Sequence, residues 1–247
     1  MNNLESLRQK EKELPTLVFT QENSSLRKLD DDFASIAGKN FYQWLDFFSK
    51  ESNSCGFSVL EIGGGINQVA AGQILEQFPN LYLFEIEKRK IIKGVKDNLK
   101  NTGRYHLYQK GFSEVIEELG RKPRFVIIFA HNVLNHLSNP FFIIEQSWKL
   151  LQEGGIFFAN EILIYQEEWE KIVNFLEKNG FKFSFRYGTV TLSLTKKGIV
   201  SVSFTIVKDK NSSDFNLPLK EGENLNDFEG RPLGPKEIFF VDDSIDF

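Results

Sequence analysis

From residue 57 to residue 180, apolar runs typical of strands alternate with helical patterns, as in a protein with a parallel sheet. Four runs are almost continuously apolar, as strands covered on both faces must be, and they are FSVLEI (57–62), LYLFEI (81–86), RFVIIFA (124–130) and IFFANEI (156–162). A weaker strand is predicted at 105–109, and helical patterns separate all five strands. Strand–helix alternation of this kind predicts parallel strands joined by right-handed crossovers.

The pattern differs on both sides of this core. Before it, one helix is predicted from Asp31 to about Lys50, and within the core the helix that starts at Pro140 is predicted to end at Gly154 and Gly155. After it, residues 181–194 and 199–209 alternate with period two, which predicts an antiparallel hairpin at the end of the sheet. The sheet should therefore be mostly parallel, with reversed strands at its end.

Composition suggests three regions: an N-terminal extension (1–30), a central domain (31–208) and an acidic C-terminal extension (209–247). The last region holds ten acidic and four basic residues, yet it also has five Phe. Disordered segments are usually poorer in such residues, so we expect part of it to pack on the domain or on a partner chain. A homodimer is left open.

Charge and cysteine content exclude several functions. The net charge of −4 gives no reason to expect nucleic acid or an anionic membrane as a partner. The single cysteine, Cys55, excludes an internal disulfide and a cysteine-rich metal site, and no metal is predicted. No stretch reaches transmembrane length and the N-terminus has no apolar signal core, so a cytoplasmic location is expected.

Three consecutive glycines, Gly63, Gly64 and Gly65, follow the first strand of the alternating series. Consecutive glycines weaken any regular element, so they indicate either a tight turn or a ligand lying against the main chain. Ligands of open parallel sheets bind at the carboxyl ends of the strands, where the strand order reverses. An acid at the end of the next strand would accept bonds from a ribose diol, and Glu85 has that place, with Glu87 as a second candidate on the same side.

Two cofactor classes use such a glycine turn and acid. A nicotinamide dinucleotide normally requires G-x-G-x-x-G, and Gln68 stands where its third glycine should be, which disfavours it. The segment VLEIGGGINQVA instead resembles the acid-x-Gly-x-Gly-x-Gly signature of the class I S-adenosylmethionine (SAM)-dependent methyltransferases, of the small-molecule type. Glu61, Gly63 and Gly65 match this signature, and Asn67 replaces its third glycine.

Three further stretches are similar to motifs of the same family, and the resemblance covers roughly residues 35–208: LYLFEIE, FVIIFAHNVLNHLSNP and WKLLQEGGIFFANE. It implies a Rossmann-like α/β fold with a mostly parallel seven-stranded sheet, helices on both faces and a C-terminal antiparallel hairpin. It also implies SAM as cofactor. The residues that it assigns to the cofactor are Glu61, Gly63, Gly64, Gly65, Glu85, Ile86, Phe112, Ala130 and His131.

The chain departs from the family at the third strand, where an acid usually meets the adenine amine. Here QKGFSE offers Gly111 and Phe112. Phe112 could lie along the adenine face or be an ordinary core residue, and Ser113 or a backbone group could replace the acid.

Methyl transfer from a sulfonium is an in-line displacement, so the protein must mainly align the reacting atoms and exclude water. A base is needed only for an acceptor that must lose a proton, and His131 and His136 are the candidates. Alternatively, His131 contributes its backbone to the methionine end of SAM, and His136 caps or packs. Glu161, at the end of the fifth strand, could orient the acceptor or be solvated.

Missing motifs narrow the acceptor. The fourth strand ends in AHNV and not in Pro-Pro-aromatic, and Cys55 precedes the first strand, so the chain does not resemble adenine-N6 or cytosine-C5 enzymes. A small molecule or peptide methylated on oxygen or nitrogen is left as the expected acceptor. The rival reading is a non-catalytic protein of the same fold that acts as a binding or scaffold subunit through residues 209–247.

Overall fold

The computed structural model describes most of the predicted central domain. The described residues are 33–34, 36–52, 55–64, 69–88, 93–120, 122–131, 133–134, 139–188 and 199–208. The predicted extensions at 1–30 and 209–247 lie outside them.

Seven strands form one sheet, in the order β3-β2-β1-β4-β5-β7-β6. They are β1 (Phe57–Ile62), β2 (Leu81–Ile86), β3 (Tyr105–Tyr108), β4 (Phe125–His131), β5 (Leu151–Tyr165), β6 (Lys182–Gly188) and β7 (Ile199–Val207). Strands β1 to β5 pair in parallel, whereas β7 is antiparallel to both β5 and β6. The predicted fold class is confirmed, including the reversed hairpin at the end of the sheet.

Six helices have their bounds within the described region: α1 (Phe41–Glu51), which precedes β1, and α2 (Val69–Gln77), α3 (Lys93–Lys100), α4 (Phe112–Leu119), α5 (Pro140–Leu150) and α6 (Gln166–Lys178), which connect strands. Helices α1 to α3 cover one face of the sheet and α4 to α6 cover the other, each face with its own apolar core. Alternate residues of the central strands enter opposite cores, because successive strand side chains point to opposite faces. None of the helices within the described ranges has the length and apolar character needed to span a membrane.

The predicted helix from Asp31 to Lys50 is wrong as a single element. The chain leaves helical geometry at Gly38, whose φ of 73° suits glycine, and α1 begins afresh after Asn40. The side chain of Asn40 accepts a bond from Gln43 N at 2.8 Å, and Gln43 Oε1 accepts one from Asn40 N at 2.9 Å. This capping box fixes the start of α1 at Phe41.

The helix from Pro140 also ends earlier than predicted, at Leu150, and β5 begins at the next residue. Gly154 has a φ of 76° and donates its N–H to Lys208 O at 2.7 Å, so the glycine pair belongs to an irregular part of the strand. Lys208 Nζ in turn donates to Leu151 O at 2.8 Å and to Trp148 O at 3.2 Å, the carbonyls at the end of α5. The lysine therefore caps this helix and stops it before the glycines.

Candidate functional site

The candidate site lies at the carboxyl ends of β1, β2 and β4. The sheet order reverses between β1 and β4, since β2 follows β1 on one side and β4 pairs with it on the other. Crevices at such switch points are where open α/β sheets bind their ligands.

The glycine turn after β1 is tightly packed against the protein's own side chains. Gly63 has a φ of 73°, and its N–H donates to Ile86 O at 2.8 Å, which ties the end of β1 to the end of β2. A Cβ on Gly63 would lie 3.0 Å from Val133 Cβ. Gly63 is therefore required by backbone conformation and by packing, the tight-turn explanation of the glycine run.

Gly64 lies directly over two carboxyl groups. A Cβ at this position would lie 2.5 Å from Glu85 Oε1 and 2.8 Å from Glu61 Cδ. The missing side chain of Gly64 thus leaves room for the carboxylates, and its backbone closes over them.

Three glutamates are buried together beneath this turn. Glu61 pairs in register with Glu85 across β1 and β2, and Glu87 follows two residues later on the same face. Their exposed fractions are 4%, 0% and 4%, respectively. Burying acidic side chains is costly unless partners compensate, so this cluster (Glu61, Glu85 and Glu87) is the least expected feature of the core.

The electrostatic consequence falls on Glu61. Burial, and then the charges of Glu85 and Glu87, raise the pKa of the Glu61 carboxyl well above its ordinary value of 4.5. Glu61 Oε2 is buried and has no hydrogen-bond partner among the described residues. A cationic group brought beside this oxygen would be stabilised by it.

Tyr105, the first residue of β3, contacts the same cluster, a role that the sequence analysis did not predict. Its hydroxyl donates to Glu85 Oε2 at 2.7 Å, and both side chains are buried. Burial and the adjacent Glu85 charge raise the pKa of the Tyr105 hydroxyl, so it stays protonated and acts as a donor. The only available signal was a tyrosine in a strand next to the predicted ribose acid.

The other predicted cofactor residues in the described region line an apolar zone. Ile86 and Ala130 are buried at the ends of β2 and β4 and belong to the core beneath α4 to α6. Phe112 opens α4 after Gly111, is 9% exposed and packs edge-on against Phe142, with ring centroids 6.2 Å apart. This position is that of a core residue at the rim, and contact with adenine stays a prediction.

His131 is the last residue of β4 and is half-buried. It pairs in register with Asn160 of β5, whose side-chain amide donates to Ser203 Oγ of β7 at 2.5 Å. Three polar residues, His131, Asn160 and Ser203, thus lie side by side across β4, β5 and β7. A base role for His131 stays a prediction.

Several predicted residues cannot be placed in this site. Gly65 and His136 lie outside the described residues, as do Asn67 and Gln68. Glu161 belongs to β5, opposite Val202 of β7. Across the described ranges, no group of three or more His, Cys, Asp or Glu side chains has an arrangement suited to a metal ion.

No protein-family model matches the chain, and no curated protein sequence matches it. Solved structures do. CurJ carbon methyltransferase is 14% identical with a TM-score of 0.48, and the match covers 63% of this chain and 49% of that one. Haemonchus contortus phosphoethanolamine N-methyltransferase 2, solved with phosphomonomethylethanolamine and S-adenosylhomocysteine, is 14% identical with a TM-score of 0.49 over 69% and 53%.

A third solved structure, YcgJ from Bacillus subtilis, is 12% identical with a TM-score of 0.46, and the match covers 68% of this chain and 99% of YcgJ. The chain spans about half the length of the CurJ and Haemonchus proteins. All three TM-scores are below 0.5, so the fold assignment rests on the strand order of the chain itself. That order, with its antiparallel seventh strand between β5 and β6, is the fold of the class I SAM-dependent methyltransferases.

Proposed function

We propose that this chain is a SAM-dependent methyltransferase that moves a methyl group to an oxygen or nitrogen of a small molecule or peptide. One observation carries the proposal: the Gly63–Gly64 turn meets Glu61 and Glu85 at the switch point of the sheet. A bare backbone over an acid at the end of the second strand is the arrangement that binds nucleosides in such folds.

The residues at the turn fit the charges and hydroxyls of SAM. Glu61 Oε2, buried and without a hydrogen-bond partner in the described region, suits the ammonium group, which would favour the ionised carboxylate. Glu85 Oε1, which faces Gly64, suits a ribose hydroxyl. When bound, SAM supplies a methyl group already activated by its sulfonium.

The protein's part is then to align the acceptor and to hold its proton. His131, at the tip of β4, takes a proton from an acceptor hydroxyl or amine that must lose one, and the apolar residues Ile86 and Ala130 exclude water. For an acceptor with a neutral amine, alignment alone is sufficient.

Glu85 is fully enclosed in this structure, so a sugar reaches Oε1 only if the backbone at Gly64 shifts. Glycine has the conformational freedom that such a shift needs. Glu87, almost as deeply buried, is the alternative ribose acid. Separate substitutions of Glu85 and Glu87 distinguish which of them binds the sugar.

Isothermal titration calorimetry with S-adenosylhomocysteine tests the proposal. We expect Glu85→Gln to weaken binding about 10- to 100-fold, because it removes a charged acceptor for a buried hydroxyl. Glu87→Gln should have a smaller effect, and Glu76→Gln, on the exposed end of α2, is the matched control. If the native protein binds neither SAM nor S-adenosylhomocysteine at millimolar concentration, the proposal fails and the non-catalytic alternative is favoured.

The acceptor class is tested with methyl-labelled SAM added to a cell extract. Transfer of label to the low-mass or peptide fraction, on oxygen or nitrogen, supports the proposal. Label found on carbon, or on nucleic acid, contradicts the proposed acceptor while leaving methyl transfer intact.

A further inference from the structure

We infer that Tyr105 is a positioning residue for the proposed nucleoside site. Its hydroxyl holds one oxygen of Glu85, so that the other oxygen is presented to the Gly64 backbone and to the incoming sugar. The inference rests on the proposed function and adds to it a residue that contacts neither cofactor nor acceptor.

The sheet register brings the two side chains together. Tyr105 pairs with Leu83 across β3 and β2, which makes Glu85 its diagonal neighbour toward the carboxyl edge. An aromatic side chain spans such a diagonal, and here the phenol oxygen is 2.7 Å from Glu85 Oε2. Tyr105 is 5% exposed and Glu85 is not exposed at all, so water does not compete for this bond.

The bond makes the two oxygens of Glu85 unequal. Oε2 accepts from Tyr105, whereas Oε1 lies 2.5 Å from where a Cβ of Gly64 would be. A hydrogen bond donated to the carboxylate favours its ionised form, in which both oxygens accept hydrogen bonds. The oxygen that faces the turn is then an acceptor, as a ribose hydroxyl that donates to it requires.

The surrounding charges make the donor more important. Glu61 of β1 and Glu87, which follows β2, are acids buried in the same cluster as Glu85, and like charges in one cluster repel one another. Among the described residues of the covering helices, the charged side chains are exposed or bonded elsewhere. Lys96 of α3 donates to Gln109 Oε1 at 2.7 Å and Asp46 pairs with Lys50 on α1, and the exposed ones are Glu51 on α1, Glu76 on α2, and Lys93, Asp97 and Lys100 on α3. A neutral hydroxyl that donates to Glu85 offsets this repulsion without adding a further charge.

Affinity for S-adenosylhomocysteine as a function of pH tests the inference, since this ligand lacks the sulfonium charge. We expect Tyr105→Phe to weaken binding on the order of tenfold at pH 6, because Glu85 loses a bond that favours its ionised form. The loss should become smaller as the pH rises, because a carboxyl group without the donor ionises at higher pH, so the binding curve moves to higher pH. Tyr82→Phe, an exposed tyrosine of β2, is the control and should keep the native curve.

Two further measurements separate positioning from a merely structural role. In a Glu85→Gln background, Tyr105→Phe should change the dissociation constant less than about twofold, since the two residues act as one unit. Site-specific 3-fluorotyrosine at position 105 keeps the ring and strengthens the donor, so the curve should move to lower pH. The fluorinated variant also serves if Tyr105→Phe fails to fold.

The outcomes distinguish this inference from the proposed function. If the native protein binds S-adenosylhomocysteine but Tyr105→Phe has the same pH curve, or loses affinity equally at every pH, the inference is wrong and the proposed function stands. If the native protein does not bind the ligand at all, both are wrong.

Discussion

Arg104 and Tyr105 are neighbours in the chain, yet they stabilise opposite edges of the same sheet in different ways. The guanidinium of Arg104 donates to Leu75 O and Phe78 O at 2.8 Å and to Leu81 O at 3.2 Å, all around the end of α2 and the start of β2. Tyr105 reaches the other way and donates to Glu85 within a cluster of like charges. The Arg104 cation thus donates to backbone carbonyls, whereas the neutral Tyr105 hydroxyl donates to an acid that lies beside other acids.

The difference shows which edge is built for stability and which is not. At the amino edge, a cation donates to carbonyls around the end of a helix, where the last turn leaves carbonyls without intrahelical partners. At the carboxyl edge, Glu61 and Glu85 are buried side by side and Glu61 Oε2 has no hydrogen-bond partner among the described residues. Buried acids with strongly shifted pKa values are concentrated at functional sites.

The largest effect on stability is expected at the amino edge. Arg104→Met should lower the free energy of unfolding by roughly 3 kcal/mol, because three part-buried carbonyls lose a charged donor. Urea denaturation measures the free energy of unfolding. The value for Arg104→Lys should lie between those of the native protein and of Arg104→Met. The affinity for S-adenosylhomocysteine should not change. A loss of binding in a folded Arg104→Met protein would contradict the claim that the amino edge contributes to stability and the carboxyl edge to the candidate site. Lys50→Met, in an exposed ion pair on α1, is the control and should change little.

An effect on stability that is smaller per pH unit, and opposite in sign, is expected at the carboxyl edge. Because the pKa of Glu61 is raised in the folded protein, the folded state keeps its proton to higher pH than the unfolded state does. The stability that this proton provides is complete below the ordinary value of 4.5 and is lost as the pH rises through the folded pKa.

Glu61→Gln should therefore remove a decline of up to about 1.4 kcal/mol per pH unit over that window. Denaturant titrations between pH 4 and pH 8 measure the slope, with Glu76→Gln as the exposed control. An identical slope in the native protein and in Glu61→Gln would show that Glu61 is not under electrostatic strain.

The smallest effects are expected from alanine substitutions of two glycines, Gly64 before the start of α2 and Gly72 within it. Gly72, in α2, has open space around its Cα, so Gly72→Ala should raise the free energy of unfolding by about 1 kcal/mol. Gly64→Ala places a methyl group against Glu85 and should weaken S-adenosylhomocysteine binding at least about tenfold, the cost of one disturbed charged hydrogen bond. Equal affinities for the two variants would contradict the role given to Gly64.

The strands were predictable where burial alone determines the pattern. The bounds of β1 and β2 agree with the sequence prediction, because a strand covered on both faces is a continuous apolar run between polar turns. The helix around Phe41 was predicted to begin too early, because the prediction followed the apolar pattern from Asp31 onward and did not use the local capping signal. Asn40 and Gln43, spaced as a capping box, were visible in the sequence and outweigh the apolar pattern before them.

Of the candidate site, only the glycine turn and the position of Glu85 in the chain could be predicted from the sequence. Spacing alone indicated Glu85, since strand, glycine turn and helix recur at a fixed length in such folds. The roles of Tyr105 and Val133 depend on which residues of separate segments become neighbours, and register is set by the whole sheet. No local pattern of residues carries that information.

The direction of β7 takes the end of the described domain away from the candidate site. Lys208 is bonded to Gly155 at the amino edge of the sheet, roughly 17 Å, five strand steps, from the tip where His131 and Asn160 lie. A tag joined directly after Lys208 would therefore start at the edge opposite the glycine turn.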